Sequence, residues 1–176
     1  EDDSHTNLYF DALAKRITGR WLKADAEQLL FTLNLNNLNF EVLNVRQEVL
    51  TSVTSLGKTR PQIETEIAEK LPALGLPKKG FEEPMHYQIP DYDFAEWAVE
   101  NPANEAVEEW CYYRNLANEV CTLLLGHAQK TADTRIWPHH FDTGIYFQCH
   151  SKLALGFGLA MADTISGSPY FYLSGN

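Results

Sequence analysis

The run Trp137-Pro138-His139-His140-Phe141-Asp142 is the densest group of chemically capable side chains in the sequence. In an extended strand alternate side chains share a face, so His140 and Asp142 would point one way and His139 and Phe141 the other. A carboxylate beside an imidazole fixes the ring tautomer and raises its basicity, which suits a general base or a partner of a metal ligand. We therefore predict His140 and Asp142 as the candidate catalytic residues.

Four further side chains are candidate ligand-binding residues, because they belong to this run or to positions expected beside it in a sheet. They are Trp137, His139, Tyr146 and His150. A loop rich in Pro, Gly and charge could add His86, Tyr87, Asp91 and Asp93.

Two other interpretations of the same run stay open. Trp137 and Phe141 could belong to the core while the His-Asp pair forms a buried polar network that holds a loop. A bulge at Pro138 could also bring both histidines to one metal ion. No His-x-x-x-His or Glu-x-x-His pair lies on a predicted helix, so we predict no specific metal ligands. The sequence identifies no cofactor.

Hydrophobic periodicity predicts the first elements that must position these residues. After a frayed segment of residues 1–6, apolar residues three and four apart predict a helix over residues 8–22. Alternating apolar residues predict two strands, 31–35 and 38–42, joined by a turn at Asn36-Asn37. The next stretch is ambiguous, and we favour a helix over residues 42–56 that Gly57 ends.

The later elements lead to a fold class. A helix begins at Thr59-Arg60-Pro61 and ends before Pro72, and a second runs from the N-cap Asn101 to Gly126. Strands follow over residues 134–148, 153–160 and 170–173. This order predicts an α+β fold, with helices in the N-terminal and central parts packed on an antiparallel β-meander formed mainly by the C-terminal third.

Composition narrows the class of protein. The 176 residues suit a single domain over 1–176, and 14 Lys and Arg against 24 Asp and Glu give a net charge of −10. An acidic chain of this kind is not expected to bind nucleic acid or an anionic membrane. Three cysteines without CxxC spacing predict reduced thiols, and no apolar run approaches the ~20 residues of a membrane helix. We therefore expect a cytoplasmic protein.

The C-terminal segments also resemble a known family. The run from Trp137 to Asp142, the aromatic strand after it, Gly156-Phe157-Gly158 and Pro169-Tyr170-Phe171-Tyr172 resemble the closing segments of bacterial proteins catalogued as domain of unknown function 5996. The resemblance covers about the last 45 residues. Thr143-Gly144 stands where Leu-Ala usually follows the Asp of the family. The resemblance implies a shared fold and a focus on the two histidines and Asp142, without implying a reaction.

The function expected from these residues is small-molecule binding through a polar pocket beside the strand of residues 137–142. One alternative is a hydrolase in which Asp142 orients His140 as a general base, with or without a metal. Another is an interaction module or homodimer that uses exposed aromatic side chains as its contact surface. Those side chains would be Tyr112, Tyr146, Tyr170 and Tyr172.

Overall fold

The computed structural model describes residues 6–25, 27–79, 81, 83, 93–138 and 140–175 of the chain. Most of the segment expected to fray therefore lies outside the described residues. So do His86, Tyr87, Asp91 and His139. The backbone of Asp93 begins a short 3-10 turn, Asp93–Glu96.

The contacts of the chain divide it into two compact units. One comprises Glu1–Ala12 with Asn104–Asn176, and the other comprises Leu13–Ala103. The organisation as a single domain stays a prediction. Among the described residues, no helix is long and apolar enough to cross a membrane.

Two strands, β1 (Tyr9–Asp11) and β2 (Arg16–Lys23), occupy the stretch where apolar spacing predicts the first helix. That prediction is wrong because a turn interrupts the apparent periodicity. Leu13, one of the residues that suggested a helical face, is fully exposed in this turn. Lys15 has a φ of 49°, which a helix does not allow.

The unit Leu13–Ala103 contains an antiparallel meander in which β2 is followed in sequence order by β3 (Gln28–Asn34), β4 (Asn39–Leu43) and β5 (Val49–Thr54). The predicted turn at Asn36-Asn37 is confirmed by a side-chain bond, since Asn34 Oδ1 accepts from the backbone N–H of Asn36 at 3.0 Å. The predicted helix over residues 42–56 is wrong, because its β-branched residues form strands β4 and β5 instead.

Helix α1 (Arg60–Lys70) covers this meander with an apolar face. Its start is confirmed, because Thr59 and Gln62 form a reciprocal capping box and Pro61 stands in the first turn. Ile63 and Ile67 pack in one cluster with Val53 of β5. Burial of these side chains joins the helix to the sheet.

The other unit contains the residues singled out as a candidate site. Its elements are α2 (Asn104–Ala128), β6 (Arg135–Trp137), β7 (Asp142–His150), β8 (Leu153–Ala160) and β9 (Tyr170–Gly175). The strands form an antiparallel sheet in the order β6-β7-β8-β9. On one side of it Cys121 and Leu125 of α2 pack against Ile145 and Phe147 of β7.

The structure corrects three expectations about the fold. The α+β class with antiparallel sheets is confirmed, but the C-terminal third does not supply most of the sheet, because the N-terminal part is also built of strands. Helix α2 begins at Asn104 rather than after an N-cap at Asn101. The strand expected over residues 134–148 is two strands, β6 and β7, separated by a turn.

Candidate functional site

The two faces of the sheet β6–β9 carry different side chains. Ile145 and Phe147 contact α2, so by alternation Asp142 and Tyr146 lie on the opposite face, which we call the distal face. Trp137 pairs with Asp142 across the strands, and Arg135 pairs with Gly144, so the side chains of β6 at these positions share the distal face.

A cleft of about 450 Å³ lies on the distal face beside β6. Its lining residues are Thr131, Ala132, Asp133, Arg135, Trp137 and Tyr146. Within it Arg135 Nη2 donates to Asp133 Oδ2 at 3.0 Å, so a guanidinium bonded to a carboxylate lines the same cleft as two aromatic rings. Trp137 and Tyr146, both predicted as ligand-binding residues, are thus brought into one cleft.

Tyr172 of β9 reaches Asp142 of β7 across the intervening strand. Tyr172 pairs with Gly158, and Gly158 pairs with Gly144, so two glycines lie between the phenol and the carboxylate. A Cβ at either glycine would lie 2.7 Å from the Tyr172 hydroxyl oxygen. Because neither has a side chain, the hydroxyl donates a hydrogen bond to Asp142 Oδ2. Burial, and then this bond, raise the pKa of Tyr172.

Arg114 of α2 is fully buried on the other side of the same strand. Its Nη1 donates to Thr143 Oγ1 at 2.7 Å, and its Nη2 donates to the carbonyl oxygen of Phe141 at 2.5 Å. The guanidinium carbon lies 4.6 Å from the ring centroid of Trp110 and 5.1 Å from that of Phe141. Burial lowers the pKa of Arg114 to about 10, and the charge of Asp142 acts in the opposite direction. The guanidinium therefore stays protonated at neutral pH.

His140 does not lie on a strand, so the alternation argument for the His-Asp pair does not apply to it. It is exposed in the turn before β7, where Phe141 adopts a φ of 53° and ends the extended backbone. Within the described part of the chain, no hydrogen bond joins His140 to Asp142, whose carboxylate is bonded by Tyr172. The catalytic roles of His140 and Asp142 stay predictions.

Asp163, in the loop between β8 and β9, is an acid on which the charge of His140 has a small effect. Asp163 Oδ2 accepts from the Tyr170 hydroxyl at 2.8 Å, and Oδ1 accepts from the backbone N–H groups of Ile165 and Ser166. The bond from Tyr170, the two backbone bonds and, as the smallest cause, the charge of His140 lower the pKa of Asp163. Tyr170 and Asp163 thus form a phenol–carboxylate pair, and the charge of His140 has only a small effect on it.

The remaining candidates lie away from the cleft. His150 is exposed at the end of β7, and its Nδ1 accepts from the backbone N–H of Lys152 at 3.3 Å, which is a bond within the hairpin turn. Among the residues that the structure describes, no group of three or more His, Cys, Asp or Glu side chains could hold a metal ion. Cys111, Cys121 and Cys149 are not joined to one another by disulfides, and burial raises the pKa of Cys121 to about 11.

Several residues described above are not among the predicted catalytic or ligand-binding residues. Arg114 had a detectable signal, since it follows Trp110 by four positions and precedes Ala117 and Cys121 on the buried stripe of α2. A charged residue on a buried helix face is rare unless it has partners, so its position alone marks Arg114 as a residue with a specific role. The pairing of Tyr172 gave no local signal, because its partner Asp142 lies 30 residues away in the sequence.

No protein-family model, curated protein or solved structure matches the chain. The resemblance to domain of unknown function 5996 therefore stays an expectation from the residues that carry it.

Proposed function

We propose that the protein binds a small molecule in the distal-face cleft. The observation that carries this proposal is the common cleft of Trp137, Tyr146 and Arg135. Its volume of about 450 Å³ lies within the range of about 300–1,000 Å³ usual for small-molecule sites.

The lining residues indicate the chemistry of the ligand. Aromatic rings such as those of Trp137 and Tyr146 provide flat apolar surfaces against which a planar group can pack. The guanidinium of Arg135 offers parallel donors that match a carboxylate, and its bond to Asp133 holds it in position. We therefore propose a planar ring that bears a carboxylate as the ligand class.

The geometry gives less support to the two alternatives. A hydrolase with Asp142 orienting His140 would need a bond between them, whereas the Asp142 carboxylate is engaged by Tyr172. An aromatic contact surface would need its members on one side, whereas Tyr112 lies exposed on α2 and Tyr146 lies on the sheet face turned away from α2. A cytoplasmic location and a homodimer stay predictions.

Titration with benzoate, nicotinate and indole-3-acetate, followed by intrinsic tryptophan fluorescence, tests the proposal. We expect saturable binding of at least one of these aromatic carboxylates. Arg135→Gln should weaken it about tenfold or more, because a hydrogen bond to a charged group contributes about 1.5–3 kcal/mol. Tyr146→Ala should also weaken binding by removing one wall.

Tyr112→Ala is the matched control for Tyr146→Ala, since the two tyrosines are 62% and 52% exposed and only Tyr146 lines the cleft. We expect the control variant to bind like the wild type. The proposal would be wrong if none of the three carboxylates showed saturable binding. It would be equally wrong if Arg135→Gln and Tyr146→Ala bound as tightly as the wild type.

A further inference from the structure

Arg114 is a buried cation whose direct partners are all uncharged. Its two hydrogen bonds go to the Thr143 hydroxyl and the Phe141 carbonyl oxygen, and its other close neighbours are aromatic rings. Within the described residues no carboxylate forms an ion pair with it, and its Nε has no hydrogen-bond partner. A guanidinium has five N–H donors, so donors remain for a further acceptor.

Asp142, the acid whose charge acts on Arg114, forms no ion pair with it among those of the described residues. Asp142 acts on Arg114 through its charge, but burial has the larger effect on the guanidinium. The Asp142 carboxylate lies on the distal face and is bonded by Tyr172, whereas Arg114 bonds Thr143 on the face towards α2. Burial of a charge without a close counter-ion is costly, so an anion at this place would gain a strong interaction.

Phe141 faces both the guanidinium and solvent. The residue is 39% exposed, and its ring centroid lies 5.1 Å from the guanidinium carbon. Its φ of 53° lies in the left-handed region that a bulky side chain rarely adopts. The backbone of Phe141 is therefore held in an unfavourable conformation, and its carbonyl oxygen accepts the bond from Arg114.

We propose that Arg114 is the centre of an oxyanion-binding site, separate from the cleft, which opens when the Phe141 ring moves aside. The guanidinium supplies the charge and the free donors, and the Thr143 hydroxyl lies 2.7 Å from it as a further polar contact. Phosphate and carboxylate share the required chemistry, since both present oxygens that match the guanidinium fork. Binding carries the energetic cost of displacing the ring, so removal of the ring should tighten it.

The test follows the ¹H–¹⁵N signal of the Arg114 Nε–H during titration with inorganic phosphate or sodium acetate at constant ionic strength. The signal is assigned by its loss in Arg114→Lys or, should that variant not fold, by through-bond correlation in the wild type. We expect a saturable shift with at least one anion. A response to phosphate alone would indicate a mineral oxyanion, and a response to acetate a carboxylate.

Phe141→Gly removes the ring, accepts the positive φ and keeps the backbone carbonyl that Arg114 bonds. We expect this variant to bind the anion about tenfold more tightly than the wild type. Phe171→Ala is the matched control, since it removes a phenyl ring that is 41% exposed and stacks on Phe157 instead. No saturable shift in the wild type and in Phe141→Gly, or equal affinities for Phe141→Gly, Phe171→Ala and the wild type, would overturn the proposal.

Discussion

The Tyr172 hydroxyl bonds the Asp142 carboxylate from two strands away, over the backbone of Gly158 and Gly144. This relationship explains why positions 144 and 158 are glycine inside strands, where glycine is otherwise unfavourable. It also shows that Asp142, a predicted catalytic residue, forms a hydrogen bond with Tyr172 on the distal face.

Gly158→Ala should lower the free energy of unfolding. The new Cβ would lie 2.5 Å from the carbonyl oxygen of Thr143 and 2.7 Å from the Tyr172 hydroxyl, so the backbone or the phenol must shift. Overpacking of this kind costs about 1–3 kcal/mol. Denaturant unfolding measures the loss.

Gly126→Ala is the control for that substitution. Gly126 lies within α2, and a Cβ there would meet no heavy atom within 4 Å. It should therefore raise the free energy of unfolding, by up to about 1 kcal/mol. Equal free energies of unfolding for the two glycine variants would contradict the close approach of the Tyr172 hydroxyl and the Thr143 carbonyl oxygen to Gly158.

The effects of Tyr172→Phe and Asp142→Ala on the free energy of unfolding should not be additive. Each removes one side of the bond between a phenol and a buried carboxylate, so a double-mutant cycle should give a coupling energy of about 1–3 kcal/mol. The free energy of unfolding is measured for the wild type, both single variants and the double variant. Additive losses would mean that the bond contributes nothing to stability.

Alkaline pH should destabilise the protein in part through Tyr172. Burial and the bond to Asp142 raise the pKa of Tyr172 above its ordinary value of 10.0. The folded state thus holds a proton that the unfolded state releases, so this contribution is complete below pH 10 and falls as pH rises through the raised pKa. The free energy of unfolding should decline less steeply above pH 10 in Tyr172→Phe than in the wild type.

Tyr112→Phe serves as the control for that pH dependence, because it removes an exposed phenol of α2. Its stability curve should follow that of the wild type. If instead the stability curve of Tyr172→Phe followed that of the wild type above pH 10, folding would not raise the pKa of Tyr172.

Tyr170→Phe should raise the pKa of Asp163 towards its ordinary value of 3.8. The hydrogen bond from Tyr170 is the largest cause of the lowered pKa, and the charge of His140 is the smallest. His140→Gln should accordingly raise it less than Tyr170→Phe does. Carboxyl ¹³C NMR titration measures both shifts, and a larger shift in His140→Gln would make the imidazole the main partner of Asp163.

Some elements were predictable from the sequence because their signals are local. The Thr59 and Gln62 capping box with Pro61 marks the start of α1 without reference to the rest of the chain. The N-terminal strands were missed because spacings of three and four between Phe10, Leu13 and Ile17 imitate a helix. Only the fold reveals that Leu13 is exposed at a turn while the other two are buried.

The sequence predicted two of the residues that line the cleft, but it did not predict the hydrogen-bond partner of Asp142. Trp137 and Tyr146 share the cleft because β6 and β7 are adjacent and antiparallel, an arrangement that their closeness in sequence favours. The partner of Asp142 was expected to be His140, two residues away. The positive φ of Phe141 removes His140 from the strand, and the actual partner, Tyr172, arrives through long-range pairing of β9 with β8.

The most direct test of small-molecule binding in the cleft is the ¹H–¹⁵N signal of the Trp137 indole N–H, assigned by its loss in Trp137→Phe. During titration with benzoate, nicotinate or indole-3-acetate we expect this signal to shift saturably, while those of Trp21, Trp97 and Trp110, which do not line the cleft, stay in place. Arg135→Gln should weaken the response. A Trp137 signal that stays unchanged up to saturating concentrations of all three ligands would contradict the proposed function.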